Sequence, residues 1–460
     1  MNAAQETIAR GIAGSAAIAE IALAAGGLSS APRIVHSHFS GNSIRLVADE
    51  NTWTAAGAQL ETCLRSAGIN TSSKILGGRP KPKPSVELAS GLIEFLAEEG
   101  AVPVAVGSGV ISDLVKYVAF KLGRPYLCVA TAASMDGYTS AGAPLSERGF
   151  KKTIQCRPPK AIIGDLDVLC AAPRNMSGWG YADLAGKMPA GADWILADGL
   201  GIEPIDAIAW PMVQGNLRAF MSEPEGIALG NRQAIENLFA GLAVAGFAME
   251  AHGSSRPASG ADHQIAHLWE MQELTYGGET VSHGACVAIG SLAVLELYQW
   301  FLQQDIGSLD IDDAVRGAQT FPEKVSSIRL AFGASEIAER AIQEVRMKHV
   351  EQDVLRGRLA RLVQCWPVLR TRLAAQLMPP STFAAMLAAA GAPSAPSDIG
   401  IRTDELRRAV LNARFLRSRY TVLDVLEETG LLHGAVEILF SDRAVIRNTS
   451  GRAVRSTDFA

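Results

Sequence analysis

A chain of 460 residues that is 48% hydrophobic and carries 44 glycines is long enough for two or three domains with a substantial core. Its net charge of −5 gives no general reason to expect nucleic acid as a partner, and it holds no run of about 18 uncharged apolar residues that would span a bilayer. Cys63, Cys128, Cys156, Cys170, Cys286 and Cys365 form neither a CxxC pair nor a framework spacing, which points away from a disulfide-stapled secreted domain and toward a reducing cytoplasm.

In chain order, the stretch from Gly11 to Gly27 is apolar but is interrupted by Glu20 and preceded by Glu6 and Arg10. It is expected to be an N-terminal helix rather than a signal peptide, within a helical extension over residues 1–33. Residues 42–66 read as a β-α step: the strand-like SIRLVAD, then an amphipathic stretch that stops on a glycine. Asp49 closes that strand. A carboxylate there can accept hydrogen bonds from ribose hydroxyls and repel a 2′-phosphate, or it can simply start the helix; the local sequence leaves both open. GGRPKPKP (77–84) reads as a surface loop.

VPVAVGSGVISDLVKYVAFKLG (102–123) predicts a buried strand, a Gly-Ser-Gly turn and a helix with Ile111, Leu114, Val115, Val118 and Leu122 on one face. Gly107 and Gly109 would let backbone amides at the helix start approach a pyrophosphate without a Cβ in the way. Ser112 stands where a third glycine would complete a dinucleotide fingerprint, so the turn also reads as a plain tight connection. YLCVATAASMDGYTSAGAPL (126–145) predicts another buried strand that runs into a polar loop. Thr131, Ser134, Asp136 and Ser140 are placed there to line a cofactor cleft at a strand's carboxyl end, or to stabilise the turn through their own side-chain bonds. Arg148, Lys151, Lys152, Arg157 and Lys160 form a local basic cluster, expected on a solvated hairpin or sheet edge. AIIGDLDVL supplies one more strand, and Pro173 marks the expected boundary of a dinucleotide-binding α/β domain over 1–173.

From 174 to 445 long helical runs predict a second, helical domain, followed by a polar tail over 446–460 that is expected to be disordered. In GWGYADLAGKMPAGADW, Asp183 follows a glycine-rich turn and is expected near a helix start; Asp193 competes with it as an acidic metal ligand. His263 and His267 sit four apart in a helix-patterned segment, so both imidazoles project from one face, and His283 follows a Gly-Gly break. One carboxylate with two imidazoles would make an open-sided site for a catalytic divalent metal.

Five blocks then carry a resemblance: VGSGVISDLVKY, TAASMDGYTSAGAPL, GYADLAGKMPAGADW, GSSRPASGADHQIAH and SHG, with RYTVLDVLEETGLL near the end. In this order they resemble the iron-containing alcohol dehydrogenase and dehydroquinate synthase superfamily, and within it the sn-glycerol-1-phosphate dehydrogenases, especially their bacterial branch. The resemblance covers roughly residues 40 to 435 and implies a Rossmann-like α/β half joined to an all-α half, the dehydroquinate synthase-like architecture. It implies Asp183, His263 and His283 as metal ligands; Gly109, Val110, Ile111, Ser112 and Asp113, with Thr131, Ala132, Ala133, Ser134, Asp49 and Ser140, as dinucleotide contacts; and Asp136, His267 and Asp183 at the substrate. His267 and Asp183 would carry the chemistry.

The implied reaction interconverts dihydroxyacetone phosphate and sn-glycerol 1-phosphate with NAD, or NADP, on one divalent metal, zinc first, nickel or iron being possible. A related polyol or glycerol dehydrogenase and a sugar-phosphate cyclase are the alternatives on this scaffold. A cytoplasmic homo-oligomer, a dimer first, acting on a small phosphorylated polyol completes the expectation. Lys187, Ser255 and Arg256 are candidate phosphate donors, and His252 reads as structural. Asp262 and Ala266 depart from the residues common in the family beside His263, which puts the groups around that ligand in question.

Overall fold

The computed structural model describes residues 2–39, 43–78, 81–147, 150–441 and 444–448. It divides into two compact units, one comprising Met1–Leu184 with Ala207–Ser255 and the other Ala185–Asp206 with Arg256–Ala460.

The first unit is built on a parallel sheet of six strands among the described residues: β1 (Glu20–Ala24), β2 (Ser43–Asp49), β3 (Asn70–Leu76), β4 (Ala101–Gly107), β5 (Leu127–Ala130) and, after a hairpin of β6 (Gly142–Glu147) and β7 (Phe150–Gln155), β8 (Ala161–Asp165). Their order across the sheet is β1-β8-β5-β4-β2-β3. Every residue of β4 is buried, as a central strand covered on both faces requires. Ile44, Leu46, Val104, Val106, Leu127, Val129 and Ile163 form the core of this sheet.

Two strands depart from the sequence expectation. Residues 1–33 are not wholly helical: a helix over Ala3–Gly14 gives way to β1, which pairs in parallel with β8 at the sheet edge. EIALA is too short and alanine-rich to show strand periodicity, and only its partner makes it one. Strand β3, NTSSKIL, was not anticipated; it is a polar edge strand paired with β2.

The first unit does not end at Pro173. The helix Arg174–Ala185 and the long helix Arg232–His252 pack against the sheet's loops and strands, which keeps most of 174–184 and 207–255 with it. Gly180 shows why. A Cβ there would lie 1.9 Å from the Ala133 carbonyl oxygen, so this glycine serves close helix-to-loop packing inside a helix rather than a turn before one. Asp183 consequently sits in the last turn of that helix, not near a helix start.

The second unit is helical apart from a small hairpin, Thr275–Tyr276 with Glu279–Thr280. Helices Arg232–His252 and His283–Phe301 are long and apolar enough to cross a membrane, but 78% and 89% of their apolar windows are buried inside the protein, so they are core helices. The expected polar tail is ordered where it begins: the Ile446 amide, with that of Val445 just before it, donates to the buried Glu296 carboxylate, at 3.1 and 2.6 Å respectively. Residues 449–460 lie outside the described residues, as does Arg148 of the basic cluster. Lys152 of that cluster pairs with Glu147 across the β6–β7 hairpin.

Candidate active site

In the first unit the chain passes from β2 outward to β3 and returns to β4 on the other side of β2, so the strand order reverses between β2 and β4. Such a switch opens a crevice at the strands' carboxyl ends. The register sets Asp49, Gly107 and Thr131 at those ends on three adjacent strands, since Val47 faces Ala105 and Gly107 faces Ala130. The expected cofactor residues of β2, β4 and β5 are therefore brought together.

Their individual roles differ. A Cβ on Gly107 would meet the Ile111 side chain at 2.6 Å, so this glycine is required by packing; one on Gly109 would meet only Met135 Sδ at 3.4 Å. The helix starting at Gly109 presents the first-turn amides of Gly109, Val110 and Ile111, which have no partner within the helix. Ser112 and Asp113 instead turn inward: Ser112 is fully buried against Cys128, and Asp113 lies 3.5 Å from Lys116, which donates to the Gly137 and Gly142 carbonyls. These two brace the loop that follows β5.

In that loop the Thr131 amide donates to Gly107 O, and Tyr138 Oη donates to Ala132 O. The Ala133 carbonyl lies against Gly180 of the helix Arg174–Ala185, Ser134 is half-buried, and Ser140 donates to Gly137 O. The Asp136 amide donates to Asp183 Oδ2 at 3.0 Å, which ties the loop to the fully buried Asp183 carboxylate. Asp49 caps its helix: its carboxylate accepts from the Thr52 amide at 2.8 Å and Thr52 Oγ1 accepts from its amide at 3.0 Å.

In the second unit the helix Ala261–Met271 carries His263 and His267, and Gly277 and Gly278, both at positive φ (61° and 83°), reverse the chain in a tight hairpin. The next helix begins on His283 under a Ser282 cap, which returns its ring to the other two. Ring centroids are 5.4 Å apart for His263 and His283, 5.5 Å for His267 and His283, and 6.2 Å for His263 and His267.

Each ring is oriented by a carboxylate. His263 Nδ1 lies 2.7 Å from Asp262 Oδ2, His283 Nδ1 lies 2.6 Å from Glu270 Oε1, and His267 Nδ1 lies 3.1 Å from Glu270 Oε2. An ionised carboxylate only accepts, so the Nδ1 atoms carry the protons and each Nε2 presents a lone pair. Imidazoles that ligate metals are held in this way, so the donors present fit a divalent cation. The shorter Asp262 thus suffices to orient His263. Glu270, missed from the sequence, could have been found as the acidic residue three positions after His267 on the same helical face. Burial pushes His267 down to about 4, with Glu270 opposing and the charges of Arg417 and His283 reinforcing the shift. At neutral pH its ring is uncharged.

Asp193 is not available to a metal. Its buried carboxylate accepts from the Ala261 amide (2.7 Å), the Val422 amide (2.8 Å) and Tyr298 Oη (2.7 Å), and so fixes the approach to the histidine helix. Arg256 likewise braces structure: it is fully buried, 3.1 Å from Glu203, and donates to the Tyr420 and Asp193 carbonyls. Lys187 is fully buried, Ser255 is exposed, and His252 ends the helix Arg232–His252.

Comparison with known proteins shows the family of the chain. Residues 22–173 match the family described as iron-containing alcohol dehydrogenase. The chain is 31% identical to a glycerol-1-phosphate dehydrogenase [NAD(P)+] of Bacillus subtilis strain 168 over 86% of its own length and 88% of that protein. The chain belongs to the glycerol-1-phosphate dehydrogenase family of the iron-containing alcohol dehydrogenases.

Its similarity to the same-named protein of Bacillus velezensis is also 31%, over 84% of this chain and 86% of that one. To that of Halalkalibacterium halodurans it is 36%, but over 56% of this chain and 65% of the relative, just under two thirds of its length. Among solved structures, glycerol dehydrogenase from Schizosaccharomyces pombe aligns with a TM-score of 0.59 at 15% identity, covering 95% of this chain and 92% of that one, which shows the shared fold.

Proposed function

We propose that this protein is a metal-dependent, NAD(P)-linked oxidoreductase that interconverts dihydroxyacetone phosphate and sn-glycerol 1-phosphate. The observation that carries the reading is the cluster of three imidazoles, two of them sharing Glu270, in a chain alignable over most of its length with proteins bearing that name.

Asp183, His263 and His283 are the proposed ligands, with zinc the first expectation and nickel or iron the alternatives. Two features support this set. His263 and His283 are held by carboxylates at Nδ1. Asp183 precedes by three residues Gly186, which packs so closely on Asp262 that a Cβ would lie 2.8 Å from its carboxylate. When bound, the cation would supply Lewis acidity toward the oxygen carried by the carbon that gains or loses hydride.

The chain's own groups do the rest. The amides at Gly109 to Ile111 receive the pyrophosphate, Asp49 accepts from the adenosine ribose and disfavours a 2′-phosphate, and the loop Thr131–Ser140 positions the nicotinamide end. Asp136 orients a substrate hydroxyl. His267, uncharged and with Nδ1 held by Glu270, takes the hydroxyl proton at Nε2 during alcohol oxidation and returns it during ketone reduction, while hydride passes between substrate carbon and nicotinamide. The six cysteines are all free, which supports a reducing compartment such as the cytoplasm, and a homo-oligomer is the expected assembly, a dimer first.

The test is NADH oxidation by the purified, zinc- or nickel-loaded protein with dihydroxyacetone phosphate, against NAD reduction with glycerol. Turnover with the phosphate and little with glycerol is expected. Turnover with glycerol alone would overturn the substrate assignment.

A further inference from the structure

Arg256 is committed to structure, which removes one of the three candidate phosphate donors, Lys187 and Ser255 being the others. The segment that follows the helix Thr403–Ala413 supplies a candidate. Its backbone is fixed on both sides of Arg417: the Leu416 amide donates to Ala413 O at 3.0 Å on one side, and on the other the Ser418 amide donates to Glu344 Oε2 at 2.7 Å and Gln264 of the histidine helix donates to Arg419 O at 3.4 Å, while the Arg419 side chain donates through Nη1 to Ser259 O at 2.7 Å.

Arg417 itself is half-buried, yet among the described residues it makes no hydrogen bond and no ion pair within 4.0 Å. Its charge reaches His267 and Glu270. Both nearby carboxylates have other duties. Glu270 orients two imidazoles; Glu344 accepts from Ser418 and lies 3.8 Å from Arg340. Burial holds the Arg417 guanidinium below the usual arginine range, with the neighbouring Arg340 charge adding to the shift and Glu344 and Glu270 opposing it. A desolvated guanidinium beside a like charge and without a bonded counter-ion is unfavourable by itself and becomes favourable when an anion pairs with it.

We propose that Arg417 is the anchor for the phosphate monoester of the substrate, holding the dianion beside His267. The inference rests on the glycerol-1-phosphate reading for the identity of the anion. A planar guanidinium can bind two phosphate oxygens at once, which fixes the triose end to end with its carbonyl toward the histidines.

The experiment compares Arg417→Met and Arg417→Lys with the wild type in two ways. In calorimetric titration with inorganic phosphate, the Met variant is expected to bind at least about tenfold more weakly and the Lys variant in between. In steady state, the ratio of kcat/KM for dihydroxyacetone phosphate to that for unphosphorylated dihydroxyacetone is expected to fall by about 10- to 100-fold in the Met variant, with partial rescue by Lys. The KM for NADH serves to separate the substrate's phosphate from the dinucleotide's. An unchanged ratio with unchanged phosphate binding, or a NADH KM that rises by the same factor, overturns the assignment. Should the wild type fail to reduce dihydroxyacetone phosphate, the substrate reading falls; a loss of phosphate binding confined to the Arg417 variants would still establish the anion site.

Discussion

Replacing Asp193 by alanine tests the idea that this carboxylate is a brace and not a ligand. The substitution strands three buried donors, the Ala261 and Val422 amides and Tyr298 Oη, now held at 2.7 to 2.8 Å. At about 2 kcal/mol for each unsatisfied buried group the loss is roughly 6 kcal/mol. An opposing effect comes from ionisation. Burial pushes Asp193 from 3.8 up to about 6, partly countered by its hydrogen bonds, so above pH 6 the native state carries a penalty of roughly 3 kcal/mol that the alanine variant escapes. Because the folded pKa is the higher one, the native wild type holds its proton longer than the unfolded chain. Stability from this group is therefore full below about pH 4 and declines as pH rises to about 6. The net destabilisation by alanine is then about 3 kcal/mol at pH 7.5 and about 5 kcal/mol at pH 4.5, where most of the penalty is absent. Asp193→Asn, which cannot ionise but keeps one oxygen for Tyr298 and Val422, is expected to lose less than alanine at both pH values. Urea unfolding followed by tryptophan fluorescence is the assay, with the adjacent, buried Trp194 as reporter. A loss under about 1 kcal/mol, or one independent of pH, would refute the reasoning.

Gly180→Ala drives a Cβ into the Ala133 carbonyl, so it should destabilise the first unit by about 2 kcal/mol and lower kcat/KM for NADH by tenfold or more, on the order of what a displacement of about 1 Å produces; wild-type values in melting and steady-state assays would contradict this. Glu270→Gln turns one of the two oxygens that accept from His267 and His283 into an amide donor and is expected to weaken metal retention by about 10- to 100-fold in chelator competition; unchanged retention would make Glu270 incidental. Asp49→Gly should shift the NADH-to-NADPH preference by about tenfold toward NADPH while costing only a few tenths of a kcal/mol in capping; an unchanged preference would leave Asp49 as a helix cap alone.

What the sequence made legible was the local chemistry. Strands β4, β5 and β8 announce themselves by continuous apolar runs, β2 by its strand-like SIRLVAD, and the helix spacing of His263 and His267 is visible by counting. What it hid depends on partners distant along the chain. Strand β1 exists because β8 offers it an edge, and the polar β3 because β2 does. Gly180 reads as a turn former until Ala133 is seen against it, which is why Asp183 was placed at the wrong end of its helix. Asp193 looks as eligible a ligand as Asp183 until its three donors appear. Glu270 and Arg417 carry no motif; only the fold sets one between two imidazoles and the other near His267.

The most direct measurement is metal content, by elemental analysis of the purified wild type alongside Asp183→Ala, His263→Ala and His283→Ala, each checked for native folding by circular dichroism. The account predicts about one divalent ion per wild-type chain and its loss, together with dihydroxyacetone phosphate reduction, in all three variants. Folded variants that keep wild-type metal content would contradict it.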